Sequence, residues 1–279
     1  MSVSINPAAN SSIQTGPVKA DRHPLQLIMR DNEQSTALRF CSFLIILVSL
    51  ISGCSNGFQY HWQHPDTTGR ECVVLVHGLR ANSSFMHKLQ DMLVDSGYHV
   101  LNLDYPSSKY KIQALADTAI GVALEECKSE CDTVHFIGHS MGNALIRYTL
   151  QKPHPCRVHR IVMIAPVNQG SELVSRLNWV PLFAKLNSPA GMQLGSRKDS
   201  FVNSLPPLEH ETGIIAGSRS INPVASLIIP GKDDGRVSIE NTKEKGMNDF
   251  IIVPANHHVI TKKDSTINCA VRFIQHGHF

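Results

Sequence analysis

The sequence predicts an α/β protein with a mostly parallel central sheet that helices cover on both faces. Short, unbroken apolar runs alternate with amphipathic helical segments, and the connections between them are short. A continuous apolar run is typical of a strand that is covered on both sides. A short, mostly apolar strand, Val134-His135-Phe136-Ile137, leads directly into Gly138-His139-Ser140-Met141-Gly142, and a helix-forming segment then extends to Leu150.

The composition is that of a globular protein with a sizeable core. Of the 279 residues, 42% are hydrophobic and 18% are charged, which excludes a disordered or fibrous chain. The formal net charge is only +3, so we expect no nucleic-acid partner. The histidines are scattered, and neither His-Glu-x-x-His nor Cys-x-x-Cys occurs, so we expect no metal and no cofactor. We also expect a monomer.

The N-terminal 54 residues differ in character from the rest of the chain. Residues 1–39 are polar and rich in Ser, Asn and Pro, and we expect them to be disordered. Residues 40–54 contain an apolar run that is too short for a spanning helix, which needs about 20 apolar residues. The run suits the core of a secretion signal, and Met29 as the true first residue would give a more usual signal length.

Ile51-Ser52-Gly53-Cys54 resembles the lipobox of bacterial lipoproteins. This resemblance implies that Cys54 carries lipid, and Ser rather than Asp at position 55 favours the outer membrane. The alternative is a plain signal anchor with an unmodified Cys54. Either interpretation predicts an exported domain that is tethered to a membrane, at the periplasmic face or in the outer membrane. Two or more acyl chains anchor a protein stably, whereas a single chain is marginal.

The rest of the chain divides into a linker and a catalytic domain. Residues 55–71 are polar and form a linker that joins an edge strand, and residues 72–279 form the domain. Before Ser140, we predict strands at 72–76 and 99–103, and helices from 82 or 83 to 95 and from 112 to 126. After Ser140, we predict strands at 158–164, 213–217 and 250–253, a turn at 230–235, a loop at 256–258 and a closing helix at 266–275.

Residues 170–204 lack the periodicity of a core element, although they include several large apolar side chains. We refer to them as the 170–204 segment. It is too short for a large cap domain. The segment either lines a cleft that binds an acyl group or packs as ordinary surface, and the sequence leaves both interpretations open.

The Gly-x-Ser-x-Gly segment, placed between a strand and a helix, predicts a nucleophile elbow at Ser140. Side chains at Gly138 or Gly142 would crowd the crossing of strand and helix. A serine hydroxyl needs a base to remove its proton and a carboxylate to orient that base. The predicted turn at 230–235 contains two candidates for the carboxylate, and the predicted loop at 256–258 contains two candidates for the base. The acid is Asp233 or Asp234, and the base is His257 or His258.

An oxyanion needs two backbone N–H donors, and we expect them from Leu79 and Met141. Met141 follows the serine and opens a helix, whose positive end favours negative charge. Leu79 follows His77 and Gly78 at the end of the first predicted strand of the domain. We expect the side chain of His139 to point away from Ser140 and to have a structural role.

Three motifs together resemble those of lipase-type α/β-hydrolases. They are Val76-His77-Gly78-Leu79, the Gly138–Gly142 segment and Asp234-Gly235-Arg236-Val237. The resemblance extends from about Cys72 to Phe279 and is closest to small bacterial lipases and esterases. It implies the α/β-hydrolase fold without a large cap domain, an ester or lipid substrate, and hydrolysis through an acyl-enzyme.

The same resemblance selects among the candidate residues. In the family the acid directly precedes a glycine, which selects Asp234, and the base lies in a loop that corresponds to Asn256–Ile260, which selects His257. The second histidine, His258, departs from the family pattern. Acyl transfer, thioester hydrolysis or another serine chemistry on the same fold is the alternative, and a non-catalytic binding protein on this scaffold is a third hypothesis.

Five cysteines follow Cys54, and an odd number leaves at least one without an internal partner. Cys127 and Cys131 lie four residues apart near a predicted helix end. We expect them either to form a disulfide in an oxidising compartment or to remain buried free thiols.

Overall fold

The structure is a computed structural model that describes residues 57–66 and 68–279, and only the backbone of residues 184–186. A single seven-stranded sheet organises these residues. The strand order is β1-β3-β2-β4-β5-β6-β7, with β1 antiparallel to β3 and every other neighbouring pair parallel. This arrangement confirms the predicted fold class. The strands are β1 Gln59–Gln63, β2 Glu71–Val76, β3 His99–Asp104, β4 Thr133–His139, β5 Val158–Ile164, β6 Glu211–Gly217 and β7 Asp249–Val253.

The central strands are buried on both faces, as their apolar runs predict. In β2, Val74 and Val76 join the core on one side of the sheet, whereas Val73 and Leu75 join the core on the other side, and all four are fully buried. Successive side chains of a strand point to opposite faces, so one apolar run supplies two cores.

Helices cover both faces of the sheet. One face carries α2, which comprises Ile112–Leu115, a π-helical turn at Ala116–Ile120 and Gly121–Glu130, together with α3, Met141–Thr149. The other face carries α1, His87–Asp95, and the C-terminal α9. The remaining helices are α4 Glu172–Leu177, α5 Pro181–Leu186, α6 Phe201–Ser204, α7 Pro223–Ile228, α8 Ile239–Thr242 and α9 Asp264–His276.

The predicted linker at 55–71 is wrong over residues 59–63, which form the edge strand β1 itself. Tyr60 and Trp62 pack against the core, and their neighbours face outward. The Tyr60 hydroxyl donates to the carbonyl of Thr118 at 2.8 Å, and Trp62 Nε1 donates to Glu126 Oε2 at 2.9 Å. In an edge strand that is buried on one face, apolar and polar residues alternate, so the strand has a polar overall composition. For this reason its sequence resembles that of a linker.

Cys127 and Cys131 do not pair with each other, and the alternative of buried free thiols holds for Cys127 alone. Cys131 forms a disulfide with Cys72, 59 residues earlier, and their Cα atoms are 5.8 Å apart. Cys131 ends α2 where the chain passes the start of β2, so the bond ties helix to sheet. Cys127 remains a buried free thiol, and burial raises its pKa above the usual range. Sequence spacing does not reveal a contact that the sheet register creates.

The N-terminal extension at 1–39, the alternative start at Met29, the apolar segment at 40–54 and Cys54 lie outside the described residues. Among the residues that the structure does describe, no helix combines the length and apolar character needed to cross a bilayer.

The 170–204 segment folds into short helices over the carboxyl edge of the sheet, without a large cap. A short parallel bridge joins Ser171 to Gly195 and closes the segment at its base. The helices α7 and α8, which the sequence analysis did not predict, flank the 230–235 turn.

Candidate active site

Ser140 occupies a strained turn between β4 and α3. Its backbone has φ 53° and ψ −121°, a region that residues with side chains rarely adopt, and its N–H donates to the carbonyl of Ile164 at 2.9 Å. A Cβ on Gly138 would lie 2.2 Å from Asn143 Oδ1. A Cβ on Gly142 would lie 2.3 Å from the carbonyl oxygen of Val76. The expected crowding at both glycines is confirmed.

The structure separates the two candidate acids. Asp234 Oδ2 lies 2.7 Å from His257 Nδ1, and Asp234 Oδ1 accepts the N–H groups of Arg236 and Val237, each at 3.0 Å. The carboxylate of Asp233 turns instead to its own loop, where it accepts from the Ser226 hydroxyl at 3.0 Å and from the backbone. Asp234 is therefore the carboxylate that faces the histidine.

The structure also separates the two candidate bases. His257 Nε2 lies 2.8 Å from Ser140 Oγ, so Asp234, His257 and Ser140 form one continuous chain of hydrogen bonds. The His257 N–H donates to the carbonyl of Asp234 at 3.0 Å, which fixes the loop to the acid turn. The ring of His258 lies edge-on to that of His257, with centroids 6.1 Å apart. Burial lowers the pKa of His258 to about 4, with contributions from His257 and Arg236, so this ring is neutral near pH 7.

His139 packs behind this chain of hydrogen bonds. Its Nε2 lies 3.1 Å from the carbonyl oxygen of His257, and the two ring centroids are 5.0 Å apart. Burial, followed by the nearby His257, lowers the pKa of His139 well below its usual range. A neutral imidazole can donate to the carbonyl and hold the loop, which agrees with a structural role for His139.

The loop that follows β2 is braced from the end of β3. Tyr105 stacks on His77, with ring centroids 4.0 Å apart, and its hydroxyl donates to the carbonyl of His77. Asp104 Oδ1 accepts the N–H of Ser83 at 2.7 Å. Burial lowers the pKa of His77 to about 4, so this fully buried ring is neutral. The brace holds Leu79 beside the elbow.

The N–H groups of Leu79 and Met141 have no hydrogen-bond acceptor among the described residues. Leu79 lines the same cleft as Ser140, and Met141 is the first residue of the elbow helix. An N–H without an internal acceptor at the wall of a cleft is available to an oxygen atom of a bound ligand.

A sequence profile described as "Alpha/beta hydrolase family" matches residues 73–231, more than half of the chain. The chain belongs to the alpha/beta hydrolase family. The hydrolase is 27% identical over 119 residues to "Putative esterase/lipase 3" of Mycoplasma pneumoniae. That match covers 41% of the hydrolase and 43% of the relative, so the chain spans less than half the length of the curated relative that it matches.

Solved structures of lipases and esterases share the fold of the hydrolase. The mature form of Bacillus licheniformis lipase BlEst2 superposes with a TM-score of 0.61 at 17% identity, over 79% of the hydrolase and 98% of the lipase. The esterase EaEST of Exiguobacterium antarcticum superposes with a TM-score of 0.54 at 14% identity, over 81% of the hydrolase and all of the esterase. At these identities the likeness establishes the fold alone.

Ser140 and His257 line a cleft that is partly open to solvent. The 170–204 segment supplies much of the apolar wall of the cleft, and Phe85 and Val167 extend it. The segment therefore lines the cleft, as one of its two interpretations predicts. Its contributing apolar residues are Leu173, Val174, Phe183 and Leu194.

Two cleft residues of the hydrolase were missed by the sequence analysis. Arg80 and Arg236 both line the cleft beside Ser140. A signal was present, because Arg80 directly follows Leu79 and Arg236 lies inside the Asp-Gly-x-Val motif. Residues next to motif positions share their edge of the sheet, yet the motifs themselves do not assign them a role.

Proposed function

We propose that the hydrolase is a serine carboxylic ester hydrolase of the lipase or esterase type, with Ser140 as nucleophile, His257 as base and Asp234 as the group that orients the base. One observation carries the proposal: Asp234, His257 and Ser140 are linked by hydrogen bonds of 2.7 and 2.8 Å, and Ser140 and His257 line a mostly apolar cleft. Membership of the alpha/beta hydrolase family and the partial likeness to a putative esterase/lipase support the same class of reaction.

In the first half of the proposed reaction, Ser140 Oγ attacks the ester carbonyl while its proton passes to His257 Nε2. The carbonyl π electrons move onto oxygen, and the N–H groups of Leu79 and Met141 hold that oxyanion. Each such donor is typically worth about 3–4 kcal/mol in the barrier. The oxyanion then collapses, the bond to the alcohol oxygen breaks, and His257 gives its proton to the departing alcohol.

In the second half, water attacks the acyl-enzyme, with His257 taking one proton from the water. The bond between the acyl carbon and Ser140 Oγ breaks, and the proton returns to the serine. Asp234 keeps its negative charge and stabilises the imidazolium that forms in each half. The free acid leaves, and the hydrolase returns to its starting state.

The role of the serine is tested with a fluorophosphonate label and a series of model esters. We expect the wild type to be labelled and Ser140→Ala to be unlabelled, with ester turnover reduced by at least about 10⁴-fold, because no other group completes the triad. Turnover that survives in folded Ser140→Ala would refute the proposal. Absence of labelling and turnover in the wild type would instead favour a binding protein on a hydrolase scaffold.

The role of the base is tested with two neighbouring histidines as matched variants. We expect His257→Ala to lose ester turnover to about the same extent as Ser140→Ala, because members of a triad act as a unit. We expect His258→Ala to keep most of its turnover, since its ring contacts His257 edge-on and does not bond to the serine. The reverse result would assign the base to His258.

We also propose that the hydrolase is exported and held at a membrane through lipid on Cys54. The support is the sequence of residues 40–54, an apolar segment that ends in a lipobox-like Ile-Ser-Gly-Cys. Metabolic labelling with a radioactive fatty acid in a Gram-negative host tests this. We expect label in the wild type and none in Cys54→Ser, whereas equal labelling of both would contradict lipidation at this residue.

A further inference from the structure

Four large apolar side chains are exposed on α5, on α7 and on the residues just before these helices. Trp179 and Leu182 are 80% and 46% exposed, and Ile221 and Leu227 are 72% and 88% exposed. No other large apolar side chain of the described residues is more than 49% exposed. We refer to these four residues as the apolar edge surface. Soluble proteins rarely leave apolar side chains of this size in water without a partner.

The helices that carry the apolar edge surface also build the wall of the cleft. Val224 of α7 packs on Phe183 of α5, and Ala225 of α7 packs in one cluster with Leu173 of α4. Phe183 and Leu173 also line the cleft. The same short helices therefore present apolar side chains to the cleft on one side and to solvent on the other.

The charges around the apolar edge surface are of one sign. Every charged residue in the stretches 173–196 and 212–232 is basic, although the net charge of the whole chain is only +3. Arg176, Arg219 and Lys232 are exposed and have no ion-pair partner among the described residues. Apolar side chains that include a tryptophan and are bordered by basic residues suit a bilayer that contains anionic lipid. A second copy of the same surface would instead bring like charges together.

The path of the chain places the proposed anchor at the same edge of the sheet. Gln59, the first residue of β1, pairs with Asp104, the last residue of β3, so the chain enters the sheet at its carboxyl edge. The cleft and the 170–204 segment lie at that edge. Cys54 is five residues before Gln59. An extended chain spans at most about 3.6 Å per residue, so lipid on Cys54 would hold the carboxyl edge within about 18 Å of the bilayer.

We propose that the apolar edge surface docks on the bilayer that holds the chain, so that the cleft takes its ester substrate from the lipids of that bilayer. This inference rests on the proposed function and on the proposed anchor, because it names the source of the ester. Since the surface and the cleft wall share their helices, an acyl chain passes from the bilayer into the cleft along apolar side chains.

The first experiment measures docking by tryptophan fluorescence in the full-length hydrolase. Trp62 and Trp179 are the two tryptophans of the chain, so Trp62→Phe leaves Trp179 as the only reporter. The variant is reconstituted in vesicles of phosphatidylcholine and phosphatidylglycerol, with and without bromine on the acyl chains. We expect brominated lipid to quench Trp179 by about half or more, because a docked tryptophan lies at the boundary of the acyl chains.

The control reporter for docking lies at the other edge of the sheet. Met92 is 39% exposed on α1, which ends just before β3 begins at the amino edge. In a chain that lacks both natural tryptophans, we expect Met92→Trp to show no quenching by brominated lipid. Equal quenching at positions 92 and 179 would refute docking through the apolar edge surface.

The second experiment compares an ester held in the same vesicles, methylumbelliferyl oleate, with an ester dissolved in water, methylumbelliferyl butyrate. We expect Leu227→Ser and Ile221→Ser each to lower kcat/KM for the vesicle ester about tenfold, because each removes an apolar side chain from the docked surface. A dissolved ester reaches the cleft without docking, and neither residue lines the cleft, so turnover of the butyrate should not change in these variants or in Trp179→Ala. Met92→Ser is the matched control and should change neither rate.

The outcomes separate this inference from the proposals on which it rests. If Trp179 is not quenched, and its emission instead shifts with protein concentration, a second copy covers the surface and the inference is wrong. If Leu227→Ser and Ile221→Ser hydrolyse the vesicle ester like the wild type, the substrate does not enter through this surface. If the wild type hydrolyses neither ester, the proposed function fails, whereas quenching of Trp179 would still support docking. Docking that persists in Cys54→Ser would show that the surface binds the bilayer without the lipid anchor.

Discussion

The elbow and the 170–204 segment line the same cleft, but they are built differently. Every residue of α3 except Tyr148 is buried, and the turn before it is locked between β2 and β5. The 170–204 segment consists of helices of four to six residues, and it leaves Trp179 80% and Leu182 46% exposed. The elbow is tightly packed, whereas part of the 170–204 segment is exposed at the surface.

This difference indicates a division of roles within the cleft. The groups to which we assign the reaction stand on elements whose positions the sheet fixes, and fixed positions are what catalytic geometry requires. The apolar wall stands on short helices that can change without disturbing the sheet. Within one fold, we therefore expect the elbow to tolerate little change and the 170–204 segment to set the choice of acyl group.

The largest expected effect is at Arg147, the residue of α3 that joins the two regions. Its Nε lies 3.0 Å from Glu244 Oε1, both side chains are 5% exposed, and its guanidinium donates to the carbonyl of Val202, inside the segment, at 3.5 Å and to that of Leu205, just after the segment, at 2.8 Å. We expect Arg147→Met to reduce the free energy of unfolding by about 3–5 kcal/mol, because a buried carboxylate loses its partner. Urea denaturation measures this.

The control for Arg147 is a second arginine in an ion pair. Arg197 in the 170–204 segment pairs with Asp199, and both side chains are more than 70% exposed. We expect Arg197→Met to change the free energy of unfolding by less than about 1 kcal/mol. Equal effects at the two positions would show that Arg147 does not join the elbow to the 170–204 segment as described.

The next effect is at Gly142, and it tests the tight packing of the elbow. A Cβ there would lie 2.3 and 2.6 Å from the carbonyl oxygens of Val76 and His77. We expect Gly142→Ala to destabilise the fold by about 3 kcal/mol, because the clash is with backbone. Gly121→Ala, in α2, is the control, since its nearest contact would be at 4.0 Å. Its helical backbone predicts a gain of about 0.5–1 kcal/mol.

The smallest expected effect is a change in substrate selectivity at Phe183, and it tests the role of the 170–204 segment. Phe183 lines the cleft and is 2% exposed. We expect Phe183→Ala to lower kcat/KM for long-chain esters about tenfold relative to short-chain esters, because burying an apolar side chain is worth about 1.5–3 kcal/mol. Trp179→Ala, which changes an exposed side chain of the same segment, should leave the ratio unchanged. A uniform loss over all chain lengths at Phe183 would mean that the segment supports folding rather than selectivity.

The sequence and the structure agree most closely where local signals are strong. The strands predicted at 72–76, 99–103 and 158–164 differ from those observed by at most one residue at either end. Burial on both faces leaves an unbroken apolar run at 72–76 and at 161–164, and such runs are readable without tertiary information. The elbow was equally readable, because a strand, a glycine-flanked serine and a helix follow one another within a few residues.

The choice between neighbouring residues could not be read from the residues alone. Asp233 and Asp234 share one turn, and His257 and His258 share one loop, so their sequence contexts are nearly identical. Only the resemblance to lipase-type hydrolases favoured one member of each pair. Side chains of adjacent residues diverge according to local backbone angles, and the structure shows which member faces Ser140.

The sequence by itself determined the order of β2 to β7 and of the helices that cover the sheet, the turn at Ser140 and the residue types available to it, because burial and backbone strain leave local marks. Tertiary structure alone decided the disulfide of Cys72 with Cys131 and the presence of both Arg80 and Arg236 along one cleft. These arrangements involve residues that are 59 and more than 150 positions apart. The register of a parallel sheet and the path of its loops create such arrangements, and neither leaves a local pattern in the chain.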